Sequence, residues 1–224
     1  MKEEGFSAKY WSDNYNDPNS MDGIGNAKDH VRYLKALLTL DNVKINSIID
    51  FGFGKSVLLK EMITGLNPYK TVGIEPSKYI FEQIQSKPFF KNNKKKVKFY
   101  NFDLKTWCQK SQGKNERFDL GICTSVLQYL PEEELKVILP IIAEKVKYMY
   151  LTVPTNKELN KQINDLDFLD TYAIRRSKTF YYKIIKKYFT FISNRVLESK
   201  TFFDEENIEV ISILAFFERF ARMT

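Results

Sequence analysis

Two cysteines and one histidine in 224 residues leave little room for metal or thiol chemistry. Cys108 and Cys123 form no C-x-x-C pair, so a disulfide-framed secreted module is not expected. A structural zinc site takes about four Cys or His ligands, and no metal site is read. A Ser-His-Asp or Cys-His nucleophile would have to run through His30 alone. No apolar run approaches the ~20 residues of a membrane-spanning helix. The opening MKEEGFSAKYWSDNY lacks the basic and apolar regions of a secretory signal. A reduced, cytoplasmic protein without an integral membrane segment is expected.

Acid is missing from one stretch. Between Asp170 and Glu198 no carboxylate occurs, while Arg175, Arg176, Lys178, Lys183, Lys186, Lys187 and Arg195 equal the net charge of +7. Seven aromatics share that window. Such a segment can cap a pocket with its cations solvated, read an anionic small molecule or acidic protein, or stack on nucleic-acid bases. A second basic run, 87–98, is balanced by nearby acid and reads as solvated surface.

What is present is an alternation. The first thirty residues are dense in turn formers, and 27–40 has apolar spacings of three and four, a helix. Short apolar runs at 45–52, 71–74, 97–102, 118–123 and 146–153 read as strands, with helices at 57–63, 77–86 and 131–145. Strands alternating with helices predict a parallel sheet. The tail is expected to be an antiparallel pair, 191–199 with 208–220. The division expected is an N-terminal lid and helix over 1–44 and a main domain over 45–224, with 155–190 a cap-like insertion or a long crossover.

Four features fall at strand ends, where open α/β sheets bind ligands. Asp50-Phe51-Gly52-Phe53-Gly54-Lys55-Ser56 is a glycine turn between strand and helix, which lets a ligand approach the backbone. Glu75, followed by Pro76, ends the second strand, where a carboxylate can accept ribose hydroxyls. Asp103, followed by Leu104, ends the third. Cys123 through Pro131 follow the fourth. Taken alone, the glycine turn fits a plain βα connection equally well, and a nicotinamide dehydrogenase is the alternative for the set.

Together these residues resemble the class I S-adenosylmethionine-dependent methyltransferases. Asp50 to Gly54 is similar to that family's D/E-x-G-x-G-x-G turn, with Ser56 at the third glycine. The segment from Phe118 through Val126-Leu127-Gln128-Tyr129-Leu130-Pro131 is similar to its fourth-strand signature, with Tyr129 replacing the usual His. The resemblance implies a Rossmann-like, doubly wound, mostly parallel seven-stranded sheet with an antiparallel C-terminal strand pair. It implies S-adenosyl-L-methionine as cofactor, held by Asp50, Gly52, Gly54, Glu75, Pro76, Asp103, Leu104 and Thr124. Tyr10 and Trp11 would close an aromatic lid hinged at 21–25, or plug the core edge. Gln128, Tyr129, Arg175 and Arg176 are expected to meet the acceptor. His30, Asp13 and Tyr129 are the candidates for a base, with packing the commoner role of a lone histidine. The acceptor is read as a small molecule. A protein or RNA met through 171–197, or a non-catalytic cofactor-binding module, are the alternatives.

Overall fold

The computed structural model describes residues 6–14, 24–166 and 168–203. Seven strands form one sheet in the order β3-β2-β1-β4-β5-β7-β6. They are β1 (Ser47–Phe51), β2 (Lys70–Ile74), β3 (Val97–Tyr100), β4 (Phe118–Thr124), β5 (Val146–Thr152), β6 (Phe189–Phe191) and β7 (Val196–Ser199). The first five run parallel, and β7 alone runs against its neighbours. The expected doubly wound, mostly parallel sheet is the one observed.

β1 is buried along its whole length, as a strand covered on both faces must be. Apolar side chains split between the two faces. Ile48, Leu120, Ile122 and Tyr150 pack with α2 (Ala27–Leu40), α3 (Val57–Leu66) and α4 (Lys78–Ser86). Ile49, Phe51, Cys123 and Met149 pack with α6 (Leu104–Ser111), α7 (Glu132–Lys145) and α9 (Lys178–Ile185). The remaining helices are α1 (Ala8–Asn14), α5 (Pro88–Asn92) and α8 (Asn156–Leu166). Glu132, Glu133 and Glu134 fill the first turn of α7, where the helix dipole favours negative charge.

The first and fourth strands are tied at their starts. One carboxylate oxygen of Asp119 accepts from the Asn46 and Ser47 amides at 2.9 and 3.1 Å, and the other meets Lys147 Nζ at 3.0 Å. These partners hold its carboxyl below the usual carboxylate range although burial pulls the other way.

Two expectations change. The antiparallel tail lies within 189–199, where Ser193 and Asn194 turn the chain between β6 and β7. The 208–220 segment lies outside the described residues. The stretch 155–190 divides. Its second helix, α9, buries Tyr181, Ile184 and Ile185 against the sheet, so that part is a crossover helix rather than a cap.

Candidate active site

A cleft partly open to solvent lies at the carboxyl ends of β1, β2 and β4. Gly52, Gly54, Glu75, Pro76 and Thr124 line it, together with Phe6, Trp11, Lys55, Ser125, Val126 and Tyr129.

The turn after β1 uses conformations that ordinary residues avoid. Gly52 has φ +104°, Gly54 +46° and Ser56 +59°. The position where the family pattern carries its third glycine is thus left-handed here too, with Ser56 in place. A Cβ on Gly52 would stand 2.7 Å from Val126 Cγ2. The absence of a side chain at 52 therefore serves contact with the β4 loop first, not only ligand approach.

Glu75 ends β2 nearly buried. One carboxylate oxygen accepts from the Gly54 amide at 3.0 Å and the other from the Ser77 amide at 3.0 Å. Burial pushes its carboxyl up to about 7, against the two backbone bonds that favour the charged form. Asp50 lies deeper. Its Oδ1 has no hydrogen-bond partner among the described residues, and burial, with the Glu75 charge, raises its carboxyl well above the usual range. Asp50 does not line the cleft.

The N-terminal segment covers the turn. The Trp11 ring comes within 3.3 Å of where a Gly54 Cβ would stand. Its indole N–H donates to Ser77 Oγ at 3.2 Å, and Ser77 Oγ donates to the Phe6 carbonyl at 2.8 Å. The same Oγ caps α4 by accepting from the Ile80 amide. Tyr10 is buried beside Phe6, with ring centroids 5.0 Å apart. Asp13 lies in α1, with its side chain outside the described residues, as is part of the proposed 21–25 hinge.

Several expected residues stand elsewhere. Asp103 caps α6 by accepting from the Thr106 amide at 2.7 Å, and Leu104 is buried in the core; neither lines the cleft. Gln128 is buried behind the wall, with its carbonyl taking the Ile174 amide at 2.8 Å. Arg175 turns to the Asn160 side chain. Arg176 donates to the carbonyls of Leu130 (2.7 Å) and Leu127 (3.5 Å) and lies over the Phe180 ring, fastening the loop after β4. His30 is buried, sharing a 2.7 Å hydrogen bond between Nδ1 and the Tyr150 hydroxyl, and is a core residue. Tyr129 does line the cleft, and its hydroxyl donates to Asp170 at 2.7 Å.

Phe6, Ser77 and Asp170 were not anticipated. Only Ser77 had a local signal, a serine at the start of a helical pattern. The others depend on pairings dozens of residues apart.

No protein-family model matches the sequence, and no curated protein matches it. Solved structures match its fold. An S-adenosylmethionine-dependent methyltransferase from Clostridium acetobutylicum is 14% identical, with a TM-score of 0.54 over 70% of this chain and 59% of that one. The chain thus spans about three fifths of that protein's length. The plantazolicin methyltransferase BpumL, solved with a monoazolic desmethylPZN analog and SAH, is 14% identical, with a TM-score of 0.62 over 80% and 68% of the two chains. The N-methyltransferase NodS from Bradyrhizobium japonicum is 11% identical, with a TM-score of 0.53 over 78% and 97%. The sheet order, the single reversed strand β7 and a cleft over β1, β2 and β4 give this chain the fold of the S-adenosylmethionine-dependent methyltransferases.

Proposed function

We propose that the chain binds S-adenosyl-L-methionine and transfers its methyl group to a small-molecule acceptor. The observation that carries this reading is Glu75, a buried carboxylate at the end of β2, facing the same cleft as the left-handed Gly52–Gly54 turn. Those residues fit the cofactor. Glu75 can accept ribose hydroxyls, Gly52 and Gly54 bring main chain to the cleft wall, and Pro76 and Thr124 line it.

When bound, the cofactor supplies a methyl already activated on a sulfonium, so the protein's tasks are alignment and exclusion of water. Phe6 and Trp11, latched to Ser77, cover the turn side and keep solvent from it. Arg176 and the Ile174 amide hold the loop that carries Tyr129.

The reading of 171–197 as a base-stacking surface loses support, although Tyr172 stays exposed. Of the aromatics in 171–197, Tyr181 and Phe189 are buried, and Phe180, Tyr188 and Phe191 pack against the same core. They are committed to the sheet rather than offered for stacking on bases.

Calorimetric titration with S-adenosylmethionine, S-adenosylhomocysteine and NAD tests the reading. Micromolar binding of the first two without NAD supports it. Binding of NAD alone overturns it, as does no binding of any of the three. Binding without turnover on cell extract would point to a non-catalytic module.

A further inference from the structure

We propose that Ser125 binds the methyl acceptor, its hydroxyl meeting an uncharged hydrogen-bonding group at the β4 end of the cleft. This rests on the methyltransferase reading above and names a contact residue and the chemistry it selects.

Among the described residues other than glycine, Asn42, Ser56, Asn67 and Ser125 have left-handed backbone, with φ +52°, +59°, +47° and +54°. Asn42 and Asn67 follow α2 and α3 at their ends, where asparagine takes this conformation with little strain. The two serines both line the cleft. Ser56 is buried, and its hydroxyl donates to the Lys55 carbonyl at 2.7 Å, so it is committed to the glycine turn. Ser125 differs. It is exposed, and its hydroxyl has no hydrogen-bond partner among the described residues.

The main chain at Ser125 is accounted for without its side chain. The Ser125 amide donates to the Thr152 carbonyl at 2.9 Å, just past the β4–β5 pairing of Thr124 with Thr152. The next residue, Val126, packs on Gly52 of the glycine turn. Glycine would make this bend with less strain, because a Cβ disfavours left-handed backbone. Strain kept at a cleft wall, on a residue whose hydroxyl is unused by the fold, points to a use for that hydroxyl in binding.

The surroundings select an uncharged group. Of the described residues that line the cleft, the charged types are Lys55 and Glu75. Lys55 belongs to the glycine turn, and Glu75 is bonded to the Gly54 amide of that turn. From the β4 side the wall is Thr124, Ser125, Val126 and Tyr129, which supply no carboxylate and no cation. A charged group held there would give up water without gaining a counter-charge from this wall. A serine hydroxyl donates one hydrogen bond and accepts others, which suits an alcohol or an amide.

The test is binding, read separately from turnover. The full chain, saturated with S-adenosylhomocysteine, is titrated with benzamide, benzoate and benzylamine, whose shared ring suits the Phe6, Trp11 and Tyr129 side chains of the cleft. Benzamide should bind more tightly than either charged probe, by about fivefold or more. Ser125→Ala and Ser125→Gly both remove the hydroxyl, and each should weaken benzamide by about fivefold, the worth of one hydrogen bond between neutral groups. Affinity for S-adenosylhomocysteine should stay within about twofold in both, as binding through a separate wall requires. Ser125→Gly should unfold at a denaturant midpoint no lower than that of Ser125→Ala, since glycine fits the left-handed backbone. Absence of benzamide binding, tighter binding of a charged probe, or benzamide affinity unchanged in the variants would each overturn the proposal while leaving the methyltransferase reading in place. A lower midpoint for Ser125→Gly than for Ser125→Ala would also overturn it, by showing that the side chain serves the fold. If S-adenosylhomocysteine itself does not bind, the methyltransferase reading fails and this proposal falls with it.

Discussion

Glu75 holds the amide of Gly54 across 21 residues of sequence, so the acid that ends β2 also shapes the turn that follows β1. Because burial keeps that acid protonated up to about 7 in the folded chain, against 4.5 as its ordinary value, its contribution has a definite sign. Stability from this group is fully present below pH 4.5 and is lost as pH rises through 7. Urea unfolding of wild type and Glu75→Gln should show a difference that shifts by up to roughly 3 kcal/mol across that window, against wild type at the upper end. A pH-independent difference would contradict the assignment.

Ribose hydroxyls donating to the same carboxylate favour its charged form. Affinity for S-adenosylhomocysteine should therefore rise with pH up to about 7, with proton release on binding below it. Calorimetry in buffers of different ionisation enthalpy measures the released proton. Glu75→Ala should weaken binding by about 1.5–3 kcal/mol.

Gly52→Val meets two obstacles, a φ of +104° and a methyl group of Val126 at 2.7 Å. It should destabilise the fold by about 1–3 kcal/mol from backbone strain alone. Pairing Gly52→Ala with Val126→Ala should recover part of the loss of Gly52→Ala, leaving the strain. Recovery to wild-type denaturation midpoints would show that the clash alone mattered.

His30 and Tyr150 form a buried pair distant from the cleft. His30→Leu removes the bond to the tyrosine hydroxyl and should cost about 1–3 kcal/mol. His30→Leu with Tyr150→Phe should recover most of this. Cofactor affinity should stay within twofold in both. A selective loss of turnover in a fully folded His30→Leu protein would restore a catalytic role for the histidine.

Arg176 fastens the β4 loop through two carbonyls. Arg176→Ala should cost about 1.5–3 kcal/mol, the range for hydrogen bonds to a charged group. Amide exchange at Ile174, which donates to Gln128 in the same loop, should accelerate. Unaltered exchange there would show that the loop is held by other means.

The buried strands were legible because covered parallel strands are nearly continuous apolar runs, as in β1. Gly52 and Glu75 were legible because strand-end chemistry follows the topology. The β6–β7 hairpin was not separated, since its strands have three and four residues and β7 buries Glu198 and Ser199 with its apolar pair. No alternation marks such a strand, although Ser193-Asn194 was a usable turn signal. A cap role for Asp103 was as open as a ligand role, since a carboxylate at a strand end can serve either, and its Oδ1 accepts from the Thr106 amide. The pairing of Tyr129 with Asp170 spans 41 residues and follows no period.

The three bonds of the Ser77 hydroxyl, to Trp11, Phe6 and Ile80, use its one proton and both its lone pairs. Nothing is left over for an intermediate arrangement. One rotation of the Ser77 side chain would therefore release the Trp11 indole, the Phe6 carbonyl and the cap of α4 together.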